Sequence, residues 1–400
     1  MGDVLFLAHR VPYPPNRGDK IRSYHLLRHI AAHARVHLIA FADDPADRGH
    51  DAALSRLAAS HRVVDRTRGT ARAAAGALAL GKPVSLTAFA SRDLAGAVEE
   101  MLASHQIETI FVFSGQMAQY VPRGFPGRVV MDFVDMDSAK FAAYAQDARG
   151  PRRWMMAREA RLLGAFERRV AARADASLFV SAAEAALFRA HGGGDALAIG
   201  NGIDTAFFDP AADFARVEHP QPLIVFTGQM DYRPNVDAVD RFARRILPLV
   251  RDTVPEARFA IVGRKPDPRV KALGGLPGVS VTGEVADVRG WLAAASVVVA
   301  PLQLARGVQN KVLEAMAMAR PVVASAAAAE GIDHDGAIRV ATDAPHFAAE
   351  VVRLIDDRAA AAALGAAARA RVIDHYGWDA RLAALDPVMG FAASARRSAA

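Results

Sequence analysis

The chain is 400 residues long and 52% hydrophobic, with a formal net charge of +6 and no cysteine. Such a length and apolar content suffice for two domains with separate cores, and the missing cysteine excludes disulfides and thiolate metal sites. No apolar run reaches the eighteen residues of a membrane span, and Met1 to Leu7 is too short for a signal peptide, so a soluble cytoplasmic protein is expected.

In chain order, Val4–Ala8 is a short apolar run read as a first strand. The loop behind it, HRVPYPPNRGDK, holds three stiffening prolines and Gly18 ahead of a helix over 22–32. Arg17, Lys20 and Arg22 place positive charge at that helix start, where the macrodipole disfavours cations, which suggests an anionic ligand, the alternative being a rigid solvated loop. Val36–Phe41, Ile110–Phe113, Val129–Val134 and Ala176–Val180 read as further strands, with a helix over 91–104. The stretch VMDFVDMDSAK carries Asp132, Asp135, Asp137 and Lys140 at a strand end. Asp135 and Asp137 could share a hard cation, or Asp137 could cap the following helix. Residues 149–173 hold eight arginines beside Trp154, Met155 and Met156. They read either as a basic amphipathic helix for an anionic membrane or as a solvated face partnered by Glu159 and Glu167.

Asn201-Gly202-Ile203-Asp204 follows a strand expected over 196–199 and is a turn signal at the head of a linker over 200–222. Strands are expected again at Leu223–Thr227, Arg258–Val262, Val279–Thr282, Val297–Ala300 and Pro321–Ala324. Helices fall between them at 236–250, 288–295 and 309–319. Gly228 and Gln229 follow the first of these strands at a turn that would admit a phosphate or a sugar. In VVVAPLQLARGVQNKVLEAMAMARPVVAS, a loop with Gly307 leads into a helix bearing Asn310, Lys311 and Glu314. Lysine and carboxylate three residues apart share one helical face, beside amides that attract phosphate. Lys311 suits a diphosphate and Glu314 the ribose hydroxyls. The tail over 344–400 is Ala-rich and helical, broken at Gly377-Trp378, with Trp378 and Phe391 as anchors.

Charge is unevenly placed: residues 1–200 carry 26 Lys+Arg against 20 Asp+Glu, and residues 201–400 carry 23 of each. A basic first half leaves open a membrane surface or a phosphorylated acceptor; without an aromatic-basic stacking pattern, nucleic acid is not expected. Arginine outnumbers lysine 43 to 6, which draws attention to Lys20, Lys140 and Lys311 in these stretches. None of the thirteen histidines forms HExxH or a paired metal spacing, and neither GxSxG nor a P-loop occurs.

KVLEAMAMARPVVAS, NGID and FTGQMDYRPN, in this chain, resemble the second domain of family 4 glycosyltransferases. HRVPYPPNRGDKIRS with MDFVDMDSAK is similar to a subgroup of sugar transferases associated with PEP-CTERM/exosortase clusters and exopolysaccharide synthesis. The resemblance implies an α/β GT-B fold, two doubly wound Rossmann-like domains facing across a cleft. The expected division is 1–205 (acceptor side), 206–375 (nucleotide-sugar side) and a terminal helix over 376–400 returning to the first domain.

The implied reaction moves a hexosyl group from a nucleoside diphosphate sugar to a hydroxyl of a glycan or lipid-linked acceptor. It would retain anomeric configuration and use no metal or other cofactor. Donor contacts are expected from Gly18, Gly228, Gln229, Arg306, Gly307, Val308, Gln309, Asn310, Lys311, Val312 and Glu314. Acceptor or sugar contacts are expected from Arg17, Lys20, Ser114, Gln116 and Lys140, and Asp132, Asp135 and Lys311 are the candidate catalytic groups. Two departures bear on donor contacts. Arg306 stands where the family has a Glu, and Gln229 and Pro234 replace the usual Arg and Lys, so Arg306 and Lys311 are expected to supply the phosphate charge. A nucleotide-sugar epimerase and a non-catalytic basic binding protein are the competing readings.

Overall fold

The computed structural model describes residues 2–15, 18–66, 70–305 and 308–391. Thirteen strands lie among these residues. They are β1 (Asp3–Ala8), β2 (Val36–Ala42), β3 (Ser60–Asp65), β4 (Ile107–Phe113), β5 (Arg128–Val134), β6 (Ala176–Phe179) and β7 (Leu197–Ala198) in the first half, and β8 (Leu223–Thr227), β9 (Arg258–Val262), β10 (Val279–Gly283), β11 (Val297–Ala300), β12 (Val322–Ser325) and β13 (Arg339–Ala341) in the second. Every pairing is parallel, in orders β3-β2-β1-β4-β5-β6-β7 and β10-β9-β8-β11-β12-β13. Both are doubly wound: the chain works outward from a central strand, β1 or β8, then crosses it and works the other way.

Contacts divide the chain into one unit of residues 1–201 with 381–400 and a second of residues 202–380. The boundary falls inside NGID. Asn201 accepts from Arg22 Nη1 at 2.9 Å in the first unit. Gly202 belongs to the second, where a Cβ would lie 2.6 Å from the Trp378 backbone. The terminal segment packs into the first unit. His29 Nε2 lies 2.7 Å from Asp386 Oδ1, and Phe391 stacks on His33 at 4.8 Å.

Central strands β1, β2, β8 and β11 are buried along nearly their whole length, as their apolar composition requires of sheets covered on both faces, and the buried His37 in β2 is satisfied by Ser60 and Asp3. Two strands absent from the sequence reading, β3 and β13, are half-exposed edges whose His61, Arg62 and Arg339 hide the period. The single helix expected over 236–250 is Arg233–Arg241 and Leu247–Thr253 joined by a wider π turn, Phe242–Ile246. Pro248 has no N–H for the α-helical bond and its ring would crowd a carbonyl one turn back, which the wider turn relieves. Among the described residues, no helix is long and apolar enough to cross a membrane.

Candidate functional site

In the second unit, the carboxyl ends of β8 and β9, the loop after β10 and the start of the helix Asn310–Ala317 enclose an open cavity of about 610 Å³. It lies where the strand order turns from β8 to β11, the crevice in which open parallel sheets bind ligands. Gly228, Gln229, Val308, Gln309, Asn310, Lys311 and Glu314, all expected from the sequence, line it together. Val312 does not: it is buried in the core, because a helix this short shows one face to the cavity and the other to the sheet. Arg306 and Gly307 lie outside the described residues.

Lys311 Nζ donates to Asn235 Oδ1 at 2.6 Å and sits 5.1 Å from the Phe226 ring centre. Asn235 Nδ2 donates in turn to the Gln229 carbonyl at 2.9 Å, so the lysine is aimed through a relay anchored on β8's loop. Burial draws the Lys311 ammonium down to about 8, against the opposing pull of Glu314. Glu314 keeps some surface but is surrounded by protein, and loss of hydration pushes it up to about 7 despite Lys311.

Residues the sequence reading passed over complete this wall. A Cβ on Gly263 would stand 1.6 Å from the Gly228 carbonyl oxygen, so two loop backbones cross there in contact. Arg264, next along, donates to Gln229 Oε1 at 3.1 Å and so brings a guanidinium against the residue at which the resemblance expected an arginine. Glu284 stands on the same wall. The glycine at a strand end was a signal in the sequence; Arg264 could be placed only once β9 was known to neighbour β8.

The first unit gathers a second group at the carboxyl ends of β1, β4 and β5. Ser114 Oγ donates to Gln116 Oε1 at 2.6 Å and lies 3.3 Å from His9 Nδ1; Gln116 Nε2 donates to Asp137 Oδ2 at 3.3 Å. Desolvation raises the Asp137 pKa, with Lys140, 4.0 Å away, opposing. Asp135 is exposed beside it. Val134 turns the chain here with φ 71°, a left-handed conformation strained for a β-branched residue, and its N–H is held by Asp132 Oδ1 at 3.0 Å.

Several expectations for this half are corrected. Asp132 is wholly buried, 2.9 Å from Arg22 Nε, so it is a structural ion-pair partner that no acceptor hydroxyl can reach. Lys20 Nζ is buried at 2.5 Å from Asp47, and Arg10 pairs with Asp19 and Asp43. The described cations of this stretch are thus met inside the first unit, by Asp19 within the stretch and by Asp43, Asp47 and Asp132 from other elements. Arg17 lies outside the described residues. A Cβ on Gly18 would meet nothing within 4 Å, so packing does not demand glycine there.

Asp137 opens the helix Asp137–Asp147 with Met136 at the cap, so it is not the cap itself. Glu167 serves that helix start instead, accepting from Ser138 N at 3.0 Å; Glu159 accepts from Val84 N and Ser85 N, each at 2.8 Å. Both are buried, not partners of exposed arginines. Nor is a paired histidine spacing absent. His29 and His33 stand one helical turn apart with Asp386, their ligand atoms within 4.8 Å of one another.

With both sites placed, likenesses to known proteins bear on them. Residues 221–357 match the family described as Glycosyl transferases group 1. That span contains the whole cavity wall. No curated protein matches the chain. Among solved structures, a sucrose-phosphate synthase from Thermosynechococcus elongatus is similar at 18% identity and TM-score 0.62, with 98% of each chain covered. HepE from Anabaena, solved with UDP, is similar at 14% identity and TM-score 0.61, covering 98% of this chain and all of that one. The same protein solved with UDP-glucose gives 15% and 0.60 over the same spans. These likenesses establish the fold: two Rossmann-like parallel-sheet units of the GT-B type.

Proposed function

We propose that this chain is a hexosyltransferase that moves a sugar from a nucleoside diphosphate sugar to a hydroxyl acceptor, with retention and without a metal. The observation that carries this is the wall formed by Lys311 and Glu314 at the switch point of the second sheet. Lys311, the helix amides at 310–312 and Arg264 offer positive potential to a diphosphate, and Glu314 offers an acceptor to ribose hydroxyls. As the glycosidic bond breaks, negative charge grows on the leaving diphosphate, and these fixed groups stabilise it without reorganising. Lys311 is the group best suited to that charge. On the acceptor side, Asp137 replaces Asp132 as the carboxylate suited to take a hydroxyl proton, with Gln116 and Ser114 orienting it and Asp135 and Lys140 at the rim.

HepE's UDP and UDP-glucose complexes make uridine diphosphate sugars the first donors to examine. The resemblance of the first loop and of MDFVDMDSAK supports an exopolysaccharide or other cell-surface glycan role, with a lipid-linked or glycan acceptor and a cytoplasmic setting. A melting-temperature panel of the full chain with nucleoside diphosphate sugars tests donor binding. A raised melting point with one donor class is expected, and no shift with any donor overturns the reading. Incubating the bound donor alone, then with acceptor glycans, separates transfer from epimerisation.

A further inference from the structure

We propose that the first turns of the helix Gly150–Ala171, with the adjoining segment 78–82, dock this protein on an anionic lipid surface. From Glu159 onward that helix buries Leu163, Glu167 and Val170. Its first two turns do not: every residue from Arg149 to Met155 is exposed, Trp154 at 58% and Met155 at 50%. Leu78 and Leu80 are exposed at 55% and 64%. Arg158 joins the two segments, donating through Nη2 to the Ala77 carbonyl at 2.8 Å and through Nη1 to the Lys82 carbonyl at 3.2 Å. A helical side chain leans toward the N-terminus, so this bridge sets the leucines beside the turn that carries Trp154 and Met155.

Trp154, Met155, Leu78 and Leu80 thus fall on the Arg158 side of the helix, with Lys82 exposed in the adjoining segment and Arg149, Arg152 and Arg153 exposed around the same turns, flanking that face. No acidic residue occurs over 66–92 or over 148–158. The arginines crowd the positive pole of the helix, where they weaken it, so local stability does not explain them. Tryptophan and aliphatic side chains ringed by arginine match the boundary between headgroups and acyl chains, the apolar part entering and the guanidiniums meeting phosphate. A second copy fits less well, because pairing this patch with itself would face arginine against arginine. Nucleic acid would engage the arginines and leave Leu78, Leu80 and Met155 in water.

The inference is independent of the donor site, and its test uses no nucleotide. The full chain is sedimented with vesicles of phosphatidylcholine alone or with phosphatidylglycerol, while tryptophan emission is recorded. Binding to the phosphatidylglycerol vesicles alone, with a blue shift that Trp154→Ala removes, is the expected result; Trp378, buried, and Trp291, half-buried against the core of the second unit, contribute a constant background. Charge at an anionic surface contributes about fivefold per arginine, so Arg152→Ala with Arg153→Ala should lower partitioning roughly 25-fold. Trp154→Ala with Met155→Ala should lower it by roughly tenfold at unchanged charge. Absence of vesicle binding, equal binding to neutral vesicles, or undiminished binding by both double variants overturns the proposal. So does a dimer in solution that Trp154→Ala dissociates without any vesicle binding.

Discussion

Lys311 and Glu314 hold opposite charges in surroundings that disfavour both, and their proton affinities move toward each other, to about 8 and about 7. The sign of the pH dependence follows. Below about 7 Glu314 carries a proton and accepts poorly from ribose; above about 8 Lys311 loses the charge that meets diphosphate. Donor affinity measured by calorimetry should therefore peak between these values. Glu314→Gln should remove the acidic limb and leave the alkaline one. Lys311→Ala leaves Asn235 and the phosphate without their cation, which by analogy with buried charged hydrogen bonds costs about 2–3 kcal/mol, or roughly 30- to 150-fold in donor affinity. Wild-type affinity in that variant would remove Lys311 from the site. At Gly18, where nothing crowds a Cβ, valine should leave the melting temperature within about 2 °C, surface substitutions being near neutral. Activity should fall if donor diphosphate approaches that backbone, so kcat/KM and the melting curve together decide its role.

At the scale of elements, the donor wall depends on strand ends brought into contact. β8 and β9 finish side by side, and only glycine at 263 lets its backbone pass against the Gly228 carbonyl. Gly263→Ala forces those loops apart and should cost at least about 2 kcal/mol, roughly 4–8 °C in the melting of a unit this size. The relay from Gln229 through Asn235 to Lys311 would open with it, so donor affinity should fall alongside stability. Strands and helices at this level were legible where the period was clean. β8, β9 and β11 show the bounds their apolar runs imply, whereas β3 and β13 are hidden by polar residues that an exposed edge tolerates. Glu159 and Glu167 carried no signal of their roles, since the amides they satisfy lie 29 to 75 residues away.

For the molecule as a whole, the cavity is lined by residues of the second unit only. A ligand that binds only the folded state stabilises what it touches, by about 2.7 kcal/mol at a hundred times its Kd. In calorimetry of the full chain, donor should therefore raise the transition of residues 202–380. Replacing His29 or Asp386, which tie the terminal segment to the first unit, should lower the other transition and leave the donor-induced shift unchanged.

The sequence by itself determined that two parallel sheets form, where most of their strands lie, and that Lys311 and Glu314 share a helical face, because periodicity and spacing are local properties. It also marked Gly228 and Gln229 at a strand end, and the family resemblance added Ser114 and Gln116. Tertiary structure alone decided which charges are spent inside the fold. Asp132 reads as an available carboxylate until Arg22, 110 residues away, is seen against it. It also decided that Arg264 and Gly263 belong with Gln229 and Gly228, since adjacency of β9 to β8 is set by how the sheet winds and not by any spacing along the chain.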